Sequence, residues 1–144
     1  MVDIHTEIVI DRPRATVSEY AANPDNAPQW YRNIESAEWR TPGPVAIGSR
    51  VAFTAHFLGR DLSYVYEITE YVPGDRLVMR TFEGPFPMET TYTWTTAGDS
   101  TRMTLRNRGE PTGFSRVAAP FMAVMMRAAN RKDLEKIKSI LEAG

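Results

Sequence analysis

Five turns punctuate the sequence between residues 33 and 108, and together they leave little choice of architecture. Pro42-Gly43-Pro44, Gly59-Arg60, Pro73-Gly74-Asp75, Gly84-Pro85 with Pro87, and Ala97-Gly98-Asp99 each supply special backbone angles or remove a hydrogen-bond donor, so each favours chain reversal. The segments between them, about 33 to 40, 49 to 58, 61 to 72, 76 to 83, 88 to 96 and 101 to 108, have strand character. Connections this short join antiparallel neighbours.

A seventh strand precedes them. In residues 2 to 10, Ile4, Thr6, Ile8 and Ile10 fall on one face and His5, Glu7 and Val9 on the other. Asp11 and Pro13 end that strand. Ala15, Val17, Tyr20 and Ala21 then predict a short helix that stops before Asn23-Pro24, and PDNAPQWY at 24 to 31 predicts a second brief helix or turn.

Residues 120 to 144 read as one long helix of two characters. Met122, Met126, Ala129, Asn130, Leu134, Ile137, Ile140 and Leu141 form a stripe at about 100° per residue, which is the expected core face. In the second half Arg131, Lys132, Glu135 and Lys138 lie opposite. In the first half the opposite side carries Phe121, Val124, Met125 and Ala128, which predicts burial nearly all round. Pro120 fits either the first turn of this helix or a kink in a longer one. Methionine is flexible and polarisable, so the Met cluster suits either core filling or the wall of an adaptable cavity. Seven antiparallel strands with one long terminal helix imply an α+β arrangement in which the sheet curls around the helix.

A chain of 144 residues, 42% hydrophobic and without a linker or repeat, is expected to form one domain over residues 1–144. Its 17 basic residues nearly balance 18 acidic ones, which argues against nucleic acid as a partner. There is no cysteine, so disulfides, thiolate metal sites and cysteine nucleophiles are excluded. With two histidines besides, no metal site is expected. The sequence holds no phosphate loop, dinucleotide fingerprint, GxSxG or HExxH, and no cofactor is expected. The N-terminus lacks a basic segment followed by an apolar run, and no apolar stretch is long enough to span a bilayer; a cytoplasmic protein without integral membrane association is expected, as monomer or homodimer.

Four stretches resemble one family: EIVIDRPRATVSEYAANPDNAPQW, GSRVAFTAHFLGRDLSYVYEITEYVPGDRLVMRT, YTWTTAGDSTRMTL and NRKDLEKIKSILE. In order and spacing they resemble the START-like, Bet v 1-like (SRPBCC) superfamily, and within it the bacterial polyketide cyclase/dehydrase and lipid-transport group. The resemblance implies a helix-grip fold: a curved seven-stranded antiparallel sheet wrapped around the C-terminal helix, two short helices after the first strand, and a cavity between sheet and helix for a small hydrophobic or amphipathic ligand. It implies no particular reaction.

Strand alternation nominates the cavity wall: Ile8 and Ile10, Phe53 and Phe57, Tyr64, Tyr66 and Ile68, Leu77 and Met79, Tyr92 and Trp94, Met103 and Leu105. Of these, Phe53, Phe57, Tyr64, Tyr66, Met79, Tyr92, Trp94 and Met103, with Met122, Met125, Met126 and Asn130 from the helix, are the candidate ligand contacts. Trp30, placed by the resemblance near the cavity end closed by the short helices, either caps a ligand or anchors those helices. Asn130 puts an amide on an apolar stripe and either bonds the backbone or faces the ligand. His56 has the unperturbed pKa for acid–base work, with a partner to be sought among Glu67, Glu70, Glu83 and Glu89, but a lone strand histidine is more often structural or exposed. Arg102, Arg106 and Arg108 form a basic stripe on the convex face.

The expected function is binding of a lipid-like or aromatic polyketide-like molecule between sheet and helix. The alternative is an aromatic cyclase or dehydratase, in which cavity tyrosines, His56 or Asn130 would steer the substrate and the catalytic residues stay unassigned. A protein-interaction module with an exposed apolar groove is a third reading.

Overall fold

The computed structural model describes residues 2–57, 59–84, 87–109 and 119–143, with the side chains of Phe57, Arg60 and residues 119–122 outside that description. Strand β1 (Val2–Ile10) leads into helix α1 (Arg14–Ala22), a single 3-10 turn (Pro24–Asn26) and the one-turn helix α2 (Ala27–Trp30). Strands β2 (Ile34–Trp39), β3 (Arg50–Phe57), β4 (Arg60–Val72), β5 (Arg76–Glu83), β6 (Met88–Ala97) and β7 (Ser100–Gly109) follow, and helix α3 (Ala119–Ala143) closes the chain. The seven strands form one antiparallel sheet in the order β1-β7-β6-β5-β4-β3-β2. This is the helix-grip architecture expected from the turn pattern and the resemblance, with strand ends within a residue or two of those expected.

The turns work as their residues dictate. Gly74 and Gly98 take φ values of 84° and 64°, a region closed to most side chains, at the β4–β5 and β6–β7 reversals. Asp75 closes the first of these by donating its N–H to the Val72 carbonyl at 2.9 Å. In the segment joining α1 to β2, the Asn23 side chain accepts from the Asp25 N–H at 3.0 Å, and Pro24 and Pro28 occupy first-turn positions where a missing N–H costs nothing.

Period-2 alternation puts Ile4, Ile10, Val51, Phe53, Ile68, Leu77, Tyr92, Trp94, Met103 and Leu105 on the concave face, all buried. Leu134 and Ile137 of α3 enter the same cluster, and each fully buried aliphatic side chain contributes about 1.5–3 kcal/mol. The helix end is tied to β1 by polar contacts: Lys138 Nζ donates to the Val9 carbonyl at 2.8 Å, and the Asp11 N–H donates to the Glu142 carboxylate at 2.8 Å.

One expectation for α3 is corrected. Its first half is not covered all round: Val124 is 66% exposed, Ala128 is exposed, and Met125 and Met126 are half-buried. The concave sheet presses on one side of the helix, and no described element packs on the side where Val124 lies. The choice between Pro120 as first turn or kink depends on residues 110–118 and lies outside the described residues.

Candidate functional site

Where β1, β6 and β7 meet the C-terminal half of α3 the interior is filled, but toward the helix's first half the sheet stands away from it. The gap is a cavity of about 150 Å³. Its sheet wall is made by Phe53 and Ala55 of β3, Leu62, Tyr64 and Tyr66 of β4, Met79 of β5, Met88, Thr90 and Tyr92 of β6 and Asn107 of β7. Its helix wall is Met126, Ala129, Asn130 and Asp133, and Tyr31, Asn33 and Ile34 close one side from the end of α2 and the start of β2. Positions 126, 129, 130 and 133 fall on one face at helical spacing.

Of the residues nominated from sequence, Phe53, Tyr64, Tyr66, Met79, Tyr92, Met126 and Asn130 border this space. Trp30, Trp94 and Met103 do not: each is buried in the packed core, Trp30 with its ring 4.1 Å from that of Tyr31 and 5.7 Å from that of Tyr92. Trp30 thus takes the anchoring role, holding the short helices on the sheet. Met125 lies about 100° around the helix from Met126 and also misses the cavity. The nominated side chains of Phe57 and Met122 lie outside the described residues.

The acid–base group that sequence reasoning missed is Asp133, 2% exposed on the helix wall. Its Oδ1 accepts the Arg32 N–H at 3.0 Å. Burial pushes its carboxyl up from 3.8 to about 6, against the opposing pull of the Arg32 N–H and charge. The hydroxyls of Tyr31 and Tyr92 hydrogen-bond to each other, and burial raises both phenols, with the nearby Asp133 charge adding to the rise. Burial likewise pushes Tyr66 up to about 12, although Thr90 and Thr81 hydrogen-bond to it. Thr90 also donates to Asn107 Oδ1 at 2.6 Å. The Asn130 amide nitrogen is buried with no hydrogen-bond partner among the described residues, as are the indole nitrogens of Trp30 and Trp94 within the core. Of these three residues, Asn130 alone borders the cavity.

The acid–base candidates nominated from sequence are elsewhere. His56 is exposed and its Nδ1 lies 2.8 Å from Asp61 Oδ1, its cross-strand neighbour. Glu67 pairs with Arg50 at 2.9 Å, Glu70 with Arg76 at 3.3 Å, and Glu89 with both Arg80 and Arg108. Glu83 is exposed. None of the five borders the cavity: His56, Glu67 and Glu89 take the convex parity of their strands, and register shifts in β4 break the alternation at Glu70 and opposite Glu83. Glu35, His56 and Asp61 bring their donor atoms within 4.8 Å of one another, all on exposed residues. The basic stripe is internally matched: Arg102 faces Glu7 at 3.8 Å, Arg106 faces Asp3 at 2.7 Å, and Arg108 faces Glu89 at 2.9 Å.

Comparison with known proteins agrees with this fold. The family described as "Polyketide cyclase / dehydrase and lipid transport" matches residues 1–142. No curated protein matches the sequence. A crystal structure of a Thermus thermophilus protein superposes with a TM-score of 0.86 at 20% identity, covering 98% of this chain and 97% of that one. A START superfamily protein from Mycobacterium smegmatis gives 0.84 at 12% identity, over 98% and 97% of the two chains. The Zhui aromatase/cyclase from a Streptomyces species gives 0.81 at 13% identity, over 97% and 93%. At these identities the likeness establishes the fold. No helix among the described residues is long and apolar enough to cross a membrane.

Proposed function

The chain belongs to the polyketide cyclase / dehydrase and lipid transport family, and on that premise we propose that it binds a small molecule, apolar in body and polar at one end, in the cavity between the sheet and α3. The observation that carries this reading is the Asn130 amide nitrogen: a buried donor without a partner among the described residues, on the wall of an otherwise largely apolar space. Leaving such a donor empty costs about 1–3 kcal/mol, which an acceptor on a ligand relieves. At about 150 Å³ the cavity suits a ring-sized body better than a long acyl chain. Solvent extraction and native mass spectrometry of the purified protein, with titration of a fluorescent polyaromatic and a fluorescent fatty acid, test it. A bound mass or saturable binding of the ring compound is expected; no bound mass and no displaceable binding overturns it.

A second reading, an aromatic cyclase or dehydratase, is favoured by Asp133. An inward carboxylate whose proton leaves near pH 6 suits proton transfer at neutral pH, and His56 has no part in it. Turnover of a poly-β-ketone mimic by the wild type, abolished in Asp133→Asn, supports this reading; equal turnover by both removes it.

A further inference from the structure

Asp133 is the one carboxylate among the described residues that line the cavity, and no salt bridge there pairs it, although the Arg32 charge acts on it. Its Oδ1 takes the Arg32 N–H, and no hydrogen bond among the described residues reaches its other oxygen. The Arg32 side chain is exposed and makes no ion pair with it. Asparagine would accept the same N–H without the cost of a buried charge, so capping Arg32 does not explain why a carboxylate stands here.

Five aromatic residues line the same cavity. Phe53 and Tyr66 meet edge to face at 5.7 Å between centroids, Tyr64 stacks on Tyr66 at 5.8 Å, and Tyr31 and Tyr92, their hydroxyls joined, feel the Asp133 charge. Ring faces carry negative potential and attract cations, most strongly where water is excluded. A buried carboxylate without a salt bridge, on the wall of a cavity that five aromatic residues line, disfavours an anionic ligand and favours a cationic one.

We infer that the polar end of the ligand is a protonated amine, held by Asp133 as counter-ion and by the tyrosine faces, on a body about one ring in size. This rests on the reading of the cavity as the binding site. The Asn130 amide is then placed to serve a neighbouring hydroxyl or carbonyl of the same molecule.

Calorimetric titration of the full chain at pH 7 with benzylamine, benzyl alcohol and benzoate tests it, together with Asp133→Asn. Benzylamine is expected to bind at least tenfold tighter than benzyl alcohol, benzoate not measurably, and the variant to bind amine and alcohol alike. Alcohol binding as tightly as amine in the wild type, or a preference that survives in the variant, overturns the amine and leaves the binding site standing. Binding of none of the three removes both. The wild-type series decides the matter even where the variant fails to fold.

Discussion

The Arg32 N–H and the Asp133 carboxylate meet at 3.0 Å, so the segment after α2 is pinned to α3 by a side chain that is itself out of water. That pin carries a pH signature. The folded state holds the Asp133 proton up to about 6, whereas an unperturbed carboxyl releases it near 3.8. Between these values the folded chain binds more protons than the unfolded one, so the stability linked to this group is fully present below pH 4 and is lost as pH rises through 6. At about 1.4 kcal/mol per pH unit the loss is roughly 3 kcal/mol. Asp133→Asn is therefore expected to match the wild type at pH 3 and to exceed it at pH 7 by up to that amount. Urea unfolding of both proteins at pH 3, 5 and 7 checks this, and a difference that does not change with pH contradicts it.

Surface carboxylates slope the other way. Burial alone would raise Glu89, but hydrogen bonds and charge from Arg80 and Arg108 outweigh it and hold it below its ordinary value. Stability from this group is present above the usual Glu range and disappears as pH falls through the lowered value. In Glu89→Gln the acid-induced part of the wild-type unfolding profile is expected to flatten slightly, by under about 1 kcal/mol given the solvent around both arginines.

The two sides of α3 differ sharply. Leu134→Ala, at a fully buried position, is expected to cost about 2–5 kcal/mol in denaturant unfolding. Val124→Lys, at an exposed one, is expected to stay within about 0.5 kcal/mol of the wild type. A Val124→Lys cost near that of Leu134→Ala would place the upper helix in a covered environment.

Filling the cavity separates binding from folding. Ala129→Leu projects into the open volume beside Asn130 and is expected to weaken ring-compound binding at least tenfold while leaving the midpoint of urea unfolding unchanged or higher. His56→Ala, on the convex face, is expected to change binding less than twofold. Reversed effects of the two substitutions would move the site to the outer face.

Strands were legible because alternation and turn chemistry act locally: Gly74 and Gly98 announce their reversals, and the parity of Tyr64, Tyr66 and Ile68 announces the concave face. Whether an inward residue packs or borders space was not legible, because it depends on how far the sheet stands off the helix at each level. Tyr92 and Trp94 share a parity, yet Tyr92 borders the cavity and Trp94 sits in the filled core. Asp133 was hidden for another reason. Within NRKDLEKIK it reads as one more charge on a wet helix face, although its position three residues after Asn130 and four before Ile137 puts it on the buried stripe. The all-round apolar upper helix misled in the opposite direction, since hydrophobic character there did not mean burial of Val124.

Strand β1 has a single strand neighbour, β7, with Val2 opposite Gly109 and Ile10 opposite Thr101, and α3 packs against the same strand. Strand β1 therefore has no strand to pair with until β7, the last strand of the sheet, exists. Closing a loop of that length before any contact repays it is slow, and folding of this chain belongs in the millisecond-to-second range of strongly non-local topologies. During synthesis the apolar face of Ile4, Ile8 and Ile10 waits longer for its neighbour than that of any other strand of this sheet.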